Sequence, residues 1–186
     1  MKRLLLACCA LLLPALLQAE PVRIGSKQFT ESVILGEVAR ISAREVGVEA
    51  VHERELGGTS ILWSALQHGD IDVYAEYTGT LTHELLKGVA ADADIAALRA
   101  KLKPLGIGIT DSLGFDNTYA IGMRADRADQ LHIRRISDLL AQPGLRFGFS
   151  NEFMDRADGW PGLRQRYGLP QAQVRGLDHS LSYRAV

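Results

Sequence analysis

Short apolar runs alternate with amphipathic stretches along most of the chain. Runs with strand character occur at residues 22–25, 49–56, 71–74, 107–110, 119–123, 145–149 and 173–175. Segments with the apolar spacing or the flanking residues of helices lie between them, at 30–46, 59–68, 80–87, 94–103, 136–140 and 160–167. This alternation of strands and helices predicts an α/β architecture with a largely parallel sheet.

The first predicted helix, at residues 30–46, is amphipathic. Val33, Ile34, Val38 and Ile41 fall on one side of it, because apolar residues three to four positions apart share a helix face. A face of this kind usually packs against the interior of a protein, so we expect these side chains to be buried.

The first 19 residues have the three-part pattern of a secretory signal peptide. Lys2 and Arg3 give a positive start, residues 4–17 are apolar, and Leu17-Gln18-Ala19 fits a small-residue cleavage site. A membrane anchor is the alternative, but this run of 14 residues is shorter than the roughly 20 that a spanning helix needs. We therefore expect cleavage after Ala19 and a periplasmic location.

Both cysteines of the chain, Cys8 and Cys9, lie inside this leader. The mature chain would contain no disulfide, no thiol nucleophile and no cysteine-ligated metal. The stretch Leu5-Leu6-Ala7-Cys8 faintly resembles a lipoprotein cleavage box, but it would leave an apolar segment of only four residues. Soluble export is therefore the favoured expectation.

Composition excludes several classes of protein. Of 186 residues, 21 are Lys or Arg, 22 are Asp or Glu and 47% are hydrophobic, which argues against a disordered chain and a polytopic membrane protein. Without the leader, 19 basic and 22 acidic residues remain, a net charge of −3. A nucleic-acid-binding protein would usually carry a basic excess, so we expect no nucleic-acid partner.

The sequence carries no signature of catalytic or metal chemistry. None of its five histidines forms a pair with metal-ligand spacing, and neither a Gly-x-Ser-x-Gly elbow nor a phosphate-binding glycine loop occurs. We therefore predict that the protein is not an enzyme and uses neither a metal nor a cofactor.

Polar and aromatic residues gather where predicted strands end. Ligands of parallel α/β folds bind on the loops after the strands, and this rule selects the segments that begin at Ser26, Gly57, Tyr74 and Phe115. Lys27, beside the start of a helix, would add positive charge to an anion-attracting helix N-terminus. An ordinary capped loop with a solvent-facing lysine is the alternative.

Five segments of the sequence together resemble a known family. They are VRIGSKQFTE at 22–31, LGGTS at 56–60, GDIDVYAEYTGT at 69–80, GFDNTYA at 114–120 and EFMDRADG at 152–159. In their order and spacing they resemble the glycine betaine/choline-binding proteins of ABC-type osmoprotectant transporters. The resemblance covers nearly the whole mature chain.

The resemblance implies a two-lobed periplasmic-binding-protein fold of type II-like architecture. The first α/β lobe would span residues 20–118 and part of the second would span 119–186. A cleft between the lobes would close on a quaternary ammonium solute, such as glycine betaine or choline. The implied partners are a membrane permease and an ATPase subunit, and we expect the binding protein to be a monomer.

The resemblance also implies which residues contact the solute. Tyr77 and Tyr119 match two members of the family's tyrosine box for the trimethylammonium head. Lys27, Thr80 and Arg156 match positions that supply hydrogen-bond donors to the carboxylate of a betaine.

Two further residues, Gln28 and Asn117, are weaker candidates for polar contacts with the solute. Family members are longer, so we expect a chain that is truncated at its C-terminus, with the first lobe lacking its returning segment. Two alternatives stay open at this stage. One is a fragment without independent binding activity, and the other is an enzyme on the same scaffold.

Overall fold

The computed structural model describes residues 20–186, and the predicted signal peptide, residues 1–19, lies outside the described residues. The strands are β1 (Val22–Gly25), β2 (Ala50–Glu53), β3 (Val73–Tyr74), β4 (Phe147–Ser150) and β5 (Val174–Leu177). The α-helices are α1 (Thr30–Glu45), α2 (Thr59–His68), α3 (Thr78–Thr80), α4 (Ile95–Leu102), α5 (Ala125–Gln130), α6 (Asn151–Asp155), α7 (Trp160–Tyr167) and α8 (His179–Arg184). A π-helical turn (Leu81–Leu85) continues α3, and 3-10 helices occupy Lys103–Leu105 and Ile136–Ala141.

The strands form two separate parallel sheets. In the first, β1 lies between β2 and β3, with Val22 opposite Ala50 and Ile24 opposite Val73. Helices α1 and α2 connect these strands, as parallel pairing requires. In the second sheet β4 pairs with β5, with Phe147 opposite Val174. The α/β fold class and its parallel strands are therefore confirmed.

Each half of the chain has its own buried hydrophobic cluster. In the first half the cluster contains Leu81, Leu86, Leu98 and Leu102, which come from the π-helical turn, the residue after it and α4. In the second half it contains Leu139, Phe153, Trp160 and Leu169. The predicted boundary between lobes at 118/119 falls between these clusters along the sequence and stays a prediction.

The strands predicted at 107–110 and 119–123 are wrong. Residues 107–124 have no regular secondary structure, although Ile107 and Ile109 are partly buried against the leucine cluster of the first half. Their alternating apolar pattern therefore reflects packing onto that cluster. A strand also needs a hydrogen-bonding neighbour, and the described chain places none beside this segment.

The predicted buried face of α1 is also wrong. Ile34, Val38 and Ile41 are between 45% and 58% exposed, whereas the buried residue of the helix is Gly36. A Cβ at Gly36 would collide with the ring of His52 on β2, so a glycine lets the helix approach the sheet. The helix therefore packs through its glycine side.

Within residues 20–186, no helix is both long enough and apolar enough to cross a bilayer.

Candidate functional site

A buried ion pair lies at the carboxyl ends of β1 and β3. Lys27 Nζ is 2.7 Å from Glu76 Oε1 and donates a second hydrogen bond to Thr59 Oγ1 at 3.1 Å. The side chains of Lys27 and Glu76 are only 6% and 9% exposed. Glu76 Oε1 also accepts the backbone N–H of Tyr77 at 2.9 Å, which fixes the start of α3. The predicted donor Lys27 is thus partnered within the chain.

The guanidinium of Arg156 connects the two halves of the chain. Its NH1 donates to Thr80 Oγ1 at 3.2 Å and also to Glu84, while Nε and NH2 bind Asp158 at 2.9 and 2.8 Å. The Arg156 side chain is only 10% exposed. Two of the predicted donors, Thr80 and Arg156, are therefore in direct contact.

Tyr119 lies beside this arginine. The Arg156 guanidinium carbon is 5.8 Å from the centroid of the Tyr119 ring, a cation–π distance. The same ring packs at 4.8 Å against Phe153, which belongs to α6. Burial raises the pKa of the Tyr119 hydroxyl, and Arg156 opposes that rise. The ring thus already faces one cation, contributed by the chain itself.

Tyr77 has a different set of neighbours. Its ring meets Phe115 edge-on at 6.4 Å, and its hydroxyl accepts a hydrogen bond from Asn117 Nδ2 at 3.2 Å. Asn117 also donates to Glu31 on α1. Burial raises the pKa of Tyr77 to about 12, the nearby Glu31 adds to the rise, and Asn117 opposes it. The structure therefore brings the predicted residues Tyr77 and Asn117 together.

The last predicted site residue, Gln28, reaches across the two halves. Its Nε2 donates to Glu152 Oε1 at 3.0 Å. The structure thus joins Thr80, Arg156 and Tyr119 in one group, and Tyr77 with Asn117 in another. No contact between the rings of Tyr77 and Tyr119 occurs within residues 20–186.

The two ion-paired groups belong to one electrostatic neighbourhood. Burial raises the pKa of Glu84, Arg156 and Lys27 lower it, and Glu76 and Asp158 raise it. The charges of both ion pairs therefore act on the Glu84 carboxylate. The seven predicted site residues are accordingly surrounded by carboxylates that sequence reasoning did not select.

Those carboxylates are Glu31, Glu76, Glu84, Glu152 and Asp158. Glu76 and Asp158 lie within the segments at 69–80 and 152–159, so their proximity to predicted site residues was a usable signal. Glu84 lies one helical turn after Thr80, which is a weaker signal. In contrast, nothing in the sequence pattern links Gln28 to Glu152.

A pocket of about 400 Å³ opens next to Tyr119. Its walls include Tyr119, Phe153, Asp158 and Arg166, together with aliphatic side chains from residues 121, 136 and 163. An apolar wall with a few charged groups suits a small organic ligand. In the part of the chain from residue 20 onward, no group of three or more His, Cys, Asp or Glu side chains could hold a metal ion.

Comparison with known proteins gives a consistent set of relatives. The chain is 32% identical to the glycine-betaine-binding protein of Pseudomonas aeruginosa. The matched region covers all of this chain and 64% of that protein. The chain is 31% identical to the glycine betaine-binding protein YehZ of Escherichia coli, over 83% of the chain and 54% of that protein. These relatives are transport binding proteins, not enzymes. The chain thus spans between one half and two thirds of their length.

Solved structures and family profiles agree with these relatives. A structure described as a glycine betaine/carnitine/choline ABC transporter superposes with a TM-score of 0.64 at 27% identity, covering 88% of this chain and 64% of that one. It confirms the expected periplasmic-binding-protein fold. The profile for the substrate binding domain of ABC-type glycine betaine transport systems matches residues 20–186. The chain therefore belongs to the family of substrate-binding domains of ABC-type glycine betaine transport systems.

Proposed function

We propose that the protein is the extracytoplasmic solute-binding component of an ABC transporter for a quaternary ammonium osmoprotectant. Tyr77 and Tyr119 would hold the trimethylammonium head. Lys27, Thr80 and Arg156 would donate hydrogen bonds to the carboxylate of a betaine, and Gln28 and Asn117 would make further polar contacts with the solute. A membrane permease and an ATPase subunit would take up the solute after the binding protein delivers it.

The observation that carries this proposal is the exposed Tyr119 ring at the wall of a pocket. The Arg156 guanidinium lies over that ring at 5.8 Å, and a pocket opens on the same residue. A quaternary ammonium has no N–H to donate, so ordinary hydrogen bonds cannot hold it. Aromatic faces attract such a cation electrostatically, with about 0.5–2 kcal/mol for each contact. Tyr119 is 56% exposed, so part of its ring remains open to a ligand at the wall of this pocket.

The test is calorimetric titration of choline and glycine betaine into the purified chain. We expect at least one of them to bind, and Tyr119→Ala to weaken binding about 2- to 30-fold, the affinity equivalent of one cation–π contact. Tyr119→Phe keeps the ring and should retain most of the affinity. Tyr183→Ala is the matched control, because Tyr183 is exposed on α8. If neither solute binds, or if Tyr119→Ala binds as tightly as the parent chain, the proposal fails.

A further inference from the structure

We propose that the outer face of α1, formed by Ile34, Val38 and Ile41, is a packing surface for the part of the chain that only the longer members of the family have. The three side chains are four and three positions apart, so they share one side of the helix. They are 58%, 54% and 45% exposed in the described chain. None of them lines the pocket beside Tyr119, so this surface is separate from the candidate solute site.

The opposite side of α1 is already packed. Gly36, Ala39 and Ala43 fall on that side, and Gly36 is the buried residue of the helix. Small residues there allow the close approach of α1 to β1 and β2, which brings Gly36 against the ring of His52. The sheet therefore lies against the small-residue side, and the larger aliphatic side chains are on the outer face.

This arrangement is the reverse of the one expected for a helix with one side in water. Such a helix normally carries polar residues on the side away from the core, whereas a helix that is apolar on both sides is typical of a buried position. Single exposed aliphatic residues are common, but three along one side of a helix form a continuous apolar strip, which marks an interaction surface. The sheet covers one side of α1, and the outer face needs a second layer.

The lengths of the relatives indicate what that layer is. The match to the P. aeruginosa protein takes in all of this chain but 64% of that protein, and the superposed transporter structure is covered to the same extent. About a third of each relative therefore has no counterpart in residues 20–186. A segment of the same polypeptide has a high effective concentration at such a face, so it covers the face more readily than a separate molecule does.

Charge disfavours the main alternative, which is a second copy of this chain. In an antiparallel pairing of two α1 helices centred on Val38, Glu31 of one copy would face Glu45 of the other. The pairing would therefore bring like charges together at both of its ends, which is unfavourable. A covering segment with aliphatic side chains in its centre and basic or neutral residues at its ends avoids this repulsion.

Thiol labelling measures whether the outer face is covered. Residues 20–186 contain no cysteine, so the Val38→Cys variant of this part of the chain has a single thiol. The variant is prepared alone and also joined at its C-terminal end to the part of the P. aeruginosa protein outside the matched region. We expect a maleimide to modify the introduced thiol about tenfold or more slowly in the joined chain, because a packed thiol is poorly accessible.

Lys101→Cys is the matched control, because Lys101 is exposed on α4, another helix of the first half. Its labelling rate should be the same in both chains. The variant Val38→Ser gives a second measurement. Valine and serine have similar helix propensities, so the urea midpoint of the chain alone should not change. The same substitution should lower the midpoint of the joined chain, since it removes aliphatic contacts from a packed surface.

The unmatched part, added as a separate polypeptide, should also slow the labelling at Val38, and this keeps the test valid if the joined chain does not fold. Equal labelling rates at Val38 with and without that part, whether joined or added, would overturn the inference. Equal slowing at Lys101 would also overturn it, because the effect would not be specific to α1. Slow labelling of the chain alone that depends on its concentration would assign the face to a second copy. These measurements use no solute, so they are independent of the proposed function.

Discussion

Two ion pairs, Lys27–Glu76 and Arg23–Asp72, connect the segment around β1 to the segment around β3. They differ mainly in burial. Lys27 and Glu76 are 6% and 9% exposed, whereas Arg23 and Asp72 are 37% and 42% exposed. Their closest nitrogen–oxygen distances are 2.7 and 3.1 Å. Replacing Lys27 by Met keeps the length of the side chain and removes its charge. The Glu76 carboxylate would then stay buried without a counter-charge.

The expected cost follows from this difference in solvent exposure. Removing one member of a buried pair costs about 3–5 kcal/mol, because the remaining charge is neither hydrated nor paired. An exposed pair contributes about 0–1 kcal/mol, since water screens both charges. We therefore expect Lys27→Met to lower the free energy of unfolding by about 3–5 kcal/mol. Arg23→Gln, the matched control, should lower it far less, since solvent screens that exposed pair.

Urea unfolding followed by tryptophan fluorescence measures both variants. Trp63 packs against the leucine cluster of the first half and Trp160 belongs to the cluster of the second, so each half contributes a probe. The double variant Lys27→Met with Glu76→Gln should recover part of the loss, because no unpaired charge then remains. If Lys27→Met costs no more than Arg23→Gln, burial does not control the energy of these pairs and the reasoning is refuted.

Three further predictions concern stability. Hydrogen bonds from Arg40 and then His52 lower the pKa of Glu37 from 4.5 to about 2, so its stabilising contribution is present above pH 4.5 and is lost as the pH falls toward 2. Glu37→Gln should reduce the loss of unfolding free energy between pH 4.5 and pH 2, measured by urea unfolding at a series of pH values. An unchanged loss would contradict the role given to Glu37. Leu98→Ala in the core should cost about 2–5 kcal/mol. Asp94→Ala, which removes the N-cap of the same helix, should cost about 1 kcal/mol, and the reverse order would count against both.

Local sequence signals predicted most of the secondary structure. The helix at Trp160–Tyr167 has its predicted limits, since Pro161 lies in its first turn and Gly168 adopts the left-handed conformation that ends a helix. The four-residue strand β1 also has its predicted limits. Such signals depend only on neighbours along the chain, so a single sequence contains them.

The wrong predictions have a common physical cause. An apolar pattern says that side chains avoid water, but it does not say which surface covers them. Ile107 and Ile109 meet that need by packing on a helical cluster without pairing as a strand. In α1, the close approach of Gly36 to His52 decided which side of the helix faces the sheet. Both outcomes depend on tertiary contacts between segments that the sequence pattern does not connect.

The candidate site shows the same division between local and distant information. The family resemblance selected seven residues, and the structure gives several of them direct contacts with one another. The partners that set their chemistry come from far along the chain. Arg156 meets Glu84 across 72 positions and Gln28 meets Glu152 across 124. Neither pairing could be inferred from one sequence.

The placement of charge matters more for this site than its total. Residues 20–186 have a net charge of −3, a value that by itself indicates no preference for any solute. Folding gathers Glu76, Glu84 and Asp158 around the two cations, which gives a small volume a net negative charge. Lys27 and Glu76 are nearly buried, so solvent screens their charges weakly, whereas the side chains of Glu84 and Asp158 are 27% and 32% exposed. The local charge at this site is therefore set by the fold, and substitutions of single carboxylates would change it without altering the tyrosines.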